Sequence, residues 1–117
     1  MERIDKSDIT RKEPRYIVYL VCRRNDGRGT LDFVYGKGYL RDNFDFWNAE
    51  ENAYKTLHAA INRAKKKLSL APKSGKDVLK VSVVRWNLAW WTNEKGAERP
   101  SYMEKSREKI IYAKEEE

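Results

Sequence analysis

Apolar positions follow four patterns along the chain. Over RYIVYLVCRR, residues 15–24, Tyr16, Val18, Leu20 and Cys22 share one parity and Ile17, Tyr19 and Val21 the other. A β-branched and aromatic run filled at both parities is the signature of a strand covered on both faces. NDGRG then supplies asparagine and glycine where a tight turn needs positive φ. TLDFVYGKGYL resumes as a second strand with Leu31, Phe33 and Tyr35 on one face, completing a β-hairpin. Gly36 and Gly38 are expected to mark a bulge or a bend.

The period changes to that of a helix over FDFWNAEENAYKTLHAAINRAKKKL. Ala53, Tyr54, Leu57, Ala60, Ile61, Ala64 and Leu68 fall within about 120° of a wheel advancing 100° per residue, a single stripe facing a core. Asn48 followed by Glu51 fits a capping box, and the spacing predicts one helix from Ala49 to Leu68. After the Pro-, Ser- and Gly-containing loop SLAPKSGKD, VLKVSVVRWNLAWW forms the third strand. Its parity breaks: Leu79, Val81 and Val83 alternate on one face, but Val84, Trp86, Leu88 and Trp90 on the other. A bulge near Val83 and Val84 would bring both sets beneath the helix. Lys80, Ser82, Arg85, Asn87, Ala89 and Trp91 would then line the opposite face. TNEKGAERPSYMEKSREK is expected to be a polar connection, followed by KIIYAK as a short edge strand.

The order is therefore β-β-α-β with a fourth strand. It implies an α+β fold, a small two-layer domain with an antiparallel sheet and one long helix on one face. Residues 1–14, mixed in charge and closed by Pro14, are expected to be a flexible arm; 15–114 form one domain, and 115–117 an acidic tail. One helix leaves the second sheet face uncovered. The 92–117 segment, a second copy of the chain in a homodimer, or a protein partner would have to shield it.

Composition narrows the classes. At 117 residues there is room for one core, and 37% charged with 40% hydrophobic residues suits a folded chain. The longest apolar run, Ile17 to Cys22, is far short of the ~20 residues that span a bilayer, and MERIDKSDIT has no apolar signal segment. A cytoplasmic location is the expectation. Cys22, the one cysteine, reads as a small buried hydrophobe.

Charge changes the picture most. Residues 63–91 carry eight basic groups against one acidic group, a surplus equal to the +7 of the whole chain. Enzymatic constellations are not expected: one Cys and one His cannot build a tetrahedral metal set, and His58 lies opposite the apolar stripe. KSGKD lacks the upstream glycine and the hydroxyl residue of a phosphate loop. Asp42, Asp45, Glu50 and Glu51 read as helix-capping and loop carboxylates rather than a metal site. Neither cofactor nor catalytic residue is expected. The expectation is a small basic non-enzymatic binding module for nucleic acid, DNA or RNA. Arg63, Lys65, Lys66, Lys67, Lys73, Lys76, Lys80 and Arg85 would contact phosphates, and Trp91 would stack on a base. The alternative is a protein-interaction module, an adaptor or inhibitor of the kind found among mobile-element accessory proteins, using the aromatic sheet face.

Overall fold

Two apolar parities in one strand demand two covers, and strand β1 (Ile9–Arg23) has both in the computed structural model. The structure describes residues 9–38, 40, 46–92 and 95–114. Residues 1–8 of the expected arm, Asp42, Asp45 and the tail 115–117 lie outside the described residues. The fold is mixed α+β. β1 lies inside an antiparallel sheet of order β2-β1-β3-β4, with β2 at Thr30–Tyr35, β3 at Val78–Thr92 and β4 at Glu98–Ala113. The expected β1–β2 hairpin forms, with Val18, Leu20 and Cys22 opposite Tyr35, Phe33 and Leu31. Its turn uses Gly27 and Gly29 at φ 73° and 113°.

The helical segment departs from expectation. It forms two helices, α1 (Phe46–Asn52) and α2 (Leu57–Leu70), in place of one. Between them Tyr54 exchanges two backbone hydrogen bonds with Tyr16: the Tyr16 N–H donates to the Tyr54 carbonyl at 2.8 Å, and the Tyr54 N–H to the Tyr16 carbonyl at 2.9 Å. β2 ends opposite Val18, so the backbone groups of Tyr16 would otherwise stay unpaired on that edge. Thr56 caps the second helix by accepting from the Ala59 N–H at 3.2 Å. Asn48 lies within α1 and is not the expected cap. The apolar stripe concealed the break because Ala53 and Ala60 keep helical spacing while facing different clusters, Ala53 the one around Ile17 and Ala60, with Tyr54, Ile61 and Ala64, the one around Val18.

Those clusters occupy opposite faces of the sheet. Val18, Leu20, Cys22, Val81 and Val83 pack with Ala60 and Ala64 of α2. Ile17 and Val34 pack with Leu40, with Ala49 of α1 and with Ala53 just past its end, joined by Tyr19, Trp86 and Met103. The second face, expected to be bare, thus carries α1. Arg15, only 3% exposed, fastens it: its guanidinium donates to Glu13 at 2.9 Å and to the Pro14 carbonyl at 3.0 Å, and lies 3.9 Å from Glu50 of α1.

Three further expectations are corrected. Residues 9–14 are strand, pairing Arg11 with Trp90 and Lys12 with Ala89. Pro14 has the parity of Tyr16, so its missing N–H falls on the side away from β3 and costs no ladder bond. The β3 bulge sits at Leu79, between the pairs Val21–Lys80 and Cys22–Val78, and the ladder with β1 runs unbroken through Val83 and Val84. Trp86 therefore lies on the α1 face, not beneath α2. β4 spans 16 residues rather than a short terminal stretch. Its pairing with β3 shifts register three times, leaving Ser101, Ser106 and Ile111 as extra residues. Each extra residue resets the side-chain parity, and charged groups fill the exposed edge, so no period-2 pattern survives in the sequence.

Gly36 and Gly38 serve close approach. A Cβ on Gly36 would stand 2.2 Å from the Asn52 carbonyl oxygen, which accepts a hydrogen bond from the Lys37 N–H at 2.6 Å. Gly36→Ala is expected to cost roughly 1–3 kcal/mol in urea denaturation, because backbone must move to admit the methyl. Unchanged stability would mean that the end of α1 is not held against this loop.

Candidate nucleic-acid interface

α2 lies across β1 and β3 on one face, with Phe33 and Tyr35 of β2 beside it. On this side the Lys67 ammonium stands 4.4 Å and the Arg63 guanidinium 5.8 Å from the Tyr35 ring centroid. Lys76, which follows the 3₁₀ turn Pro72–Ser74, stands 5.5 Å from the Phe33 ring. Each cation–π contact contributes about 0.5–1 kcal/mol at such a surface and holds a long side chain in one place.

These cations converge without a counter-ion among the described residues. Among the described residues Arg63, Lys66, Lys67 and Lys76 form no ion pair. Burial, followed by the charges of Arg63, Lys66 and Lys76, pulls the pKa of Lys67 below the ordinary lysine value. Other cations are neutralised: Asp77 accepts from Lys114 at 2.9 Å and Arg23 at 3.1 Å, which holds its carboxyl below the usual carboxylate range.

The sequence-derived set is only partly assembled. Arg63, Lys66, Lys67 and Lys76 share the α2–β2 flank. Lys65 on α2 and Lys73 in the 3₁₀ turn are exposed. Lys80 points to the other sheet face and pairs with Glu108 at 2.6 Å. Arg85 stands in a separate cleft beside Arg107. Trp91 is half-buried near the far end of β3, opposite Ile9 on one side and Arg99 on the other. Phe33 and Tyr35 were missed as site residues. Their signal was the shared parity on β2, which points both rings toward the lysine-bearing helix.

The remaining chemistry is sparse. Among the described residues no three His, Cys, Asp or Glu side chains gather as a metal site. His58 is exposed beside Asn62, at 3.2 Å. Burial raises the pKa of the Cys22 thiol. It also pushes the Tyr19 phenol up to about 12, with Trp86 opposing the shift. Among the described residues no helix is long and apolar enough to cross a membrane.

The three tryptophans of β3 divide by face. Trp86 packs with the Ile17–Ala53 cluster, and Trp90, 9% exposed, lies under the Arg11 guanidinium at 4.2 Å. Trp91 has the other parity. Trp86→Ala is expected to cost roughly 3–5 kcal/mol by chemical denaturation, and Trp91→Ala clearly less. The reverse order would place the register one residue off. No family model, curated protein or solved structure matches the chain, and its function is legible only through these residues.

Proposed function

We propose that the protein is a small non-enzymatic nucleic-acid-binding module that holds the phosphate backbone of DNA or RNA along the α2–β2 flank. The observation that carries this reading is the convergence of Arg63, Lys67 and Lys76 on the rings of Tyr35 and Phe33, with Lys66 adjacent and no carboxylate paired to any of them among the described residues. Charges that repel one another and are held in register by aromatic faces favour a polyanion, and binding releases the repulsion together with condensed counter-ions. Because cations already occupy these rings, the flank suits backbone contact and sequence-independent affinity rather than base stacking. The interaction-module alternative has less support, since α1 packs on the sheet face it would use.

Electrophoretic shift or fluorescence anisotropy at several salt concentrations tests the reading. Affinity should fall linearly in log–log form, and combined Arg63→Gln, Lys67→Gln and Lys76→Gln should flatten the slope by about 0.9 for each duplex phosphate that is no longer neutralised. Lys80→Gln, which removes a paired lysine on the other face, should leave the slope unchanged. Absence of binding at low salt, or a slope indifferent to the triple change, would refute it.

A pH series supplies a second check. Bound phosphate favours the charged form of Lys67, so binding takes up protons once the pH exceeds the lowered pKa of the free protein. Affinity should therefore decline with rising pH before ordinary lysines titrate, and Lys67→Arg should remove that early decline.

A further inference from the structure

On the β4 side of α2, a cavity of about 210 Å³ opens between the first turn of the helix and the β3–β4 ladder. Tyr16, Leu57 and Val83 form its apolar wall; Arg85, Arg107 and Lys109 supply its charge. Arg85 and Arg107 stand directly opposite one another across the ladder, and Lys109 opposes Val83 one pair along on the same face. Like charges in directly opposed positions destabilise a sheet unless something compensates them. Nothing among the described residues does: none of the three cations is in an ion pair there, and the Arg85 Nε is buried with no hydrogen-bond acceptor. Glu108 borders the cavity, yet its carboxylate is engaged by Lys80 at 2.6 Å and Lys105 at 3.9 Å. The first turn of α2 contributes no acidic residue either.

We propose that this cavity is a binding site for a phosphate monoester, the terminal phosphate of a nucleic-acid strand whose backbone continues along the α2 flank. A monoester dianion offers several acceptor oxygens and two charges to two guanidiniums and an ammonium, whereas an internal diester offers one charge and a carboxylate the same. The strand-end assignment rests on the nucleic-acid reading above. Leu57 at the cavity and Lys67 on the flank are ten residues apart on one helix, about 15 Å along its axis, and a strand of several nucleotides spans that rise together with the width of the helix between its two sides. Arg107 and Lys109 come from β4, a segment whose sequence pattern alone reads as a polar connection.

The test compares one oligonucleotide sequence with a 5′-phosphate, a 3′-phosphate or hydroxyl ends, in anisotropy titrations at fixed salt. Inorganic phosphate is titrated separately while the amide resonances of Leu57 and Val83 are followed. One phosphorylated end should bind about tenfold or more tightly than the hydroxyl-ended strand, the scale of one or two charge-assisted hydrogen bonds. Arg107→Gln, at an exposed position, should abolish that advantage and the phosphate-induced shifts while leaving the residual affinity supplied by the α2–β2 flank. Arg85→Gln provides a second variant, checked for folding by its amide spectrum. Equal affinity for all ends with no phosphate-induced shifts overturns the site. Phosphate shifts with equal affinity for all ends overturn the strand-end assignment in favour of free phosphate. Phosphate shifts with no oligonucleotide binding of any kind refute the flank and leave the phosphate site standing.

Discussion

The backbone exchange between Tyr16 and Tyr54 is the constraint on which the rest of the structure depends. β1 is apolar on both faces, and the short β2 leaves part of its edge open. One passage of chain across that edge meets both needs: Tyr54 pairs with the open backbone, and the chain leaves α1 on one face and enters α2 on the other. The helix must break to do so. Thr56 then restarts it with a side-chain cap.

From this crossing follows the position of the charged flank. α2 begins only after the edge has been passed, so its Arg63 and Lys67 meet Tyr35 of β2 on one side, while Leu57 in its first turn borders the β3–β4 ladder on the other. Cation–π contacts with Tyr35 and Phe33 fix the first group; the cross-strand geometry of Arg85 and Arg107 fixes the second. Among the described residues no cation of either group is ion-paired to a carboxylate, whereas Lys80 and Lys114 are.

Local signals were readable. The β1–β2 hairpin, the length of β3, the buried Cys22 and the outward His58 follow from alternation, turn glycines and wheel position. Interactions between distant segments were not. A helical period cannot reveal that Ala53 and Ala60 face different cores, because alanine suits either. Charge at the edge and three resets of parity erase the trace of β4, and with it Arg107 and Lys109. The basic run over 63–91 could not separate Lys80, whose partner Glu108 lies on another strand, from Lys67, which pairs with no carboxylate among the described residues. Trp91 was separated from Trp86 by parity alone, and that separation holds, although the covering element on the Trp86 face is α1.

The sheet order also bears on how the chain reaches its native state. β1–β2 and β3–β4 are sequence-adjacent antiparallel pairs that can zip from their own turns, but β1 and β3 meet only after a long loop closes, as in the contact of Thr10 with Trp90, 80 positions apart. Loop-closure entropy of this kind raises the folding barrier, and its cost comes before the contacts that repay it. Joining of the two hairpins along β1 and β3 thus closes the longest loop among the strand pairings and carries their largest closure cost. Until it occurs, both inner strands expose unpaired edges to other copies of the chain, so self-association during refolding is the hazard built into this topology.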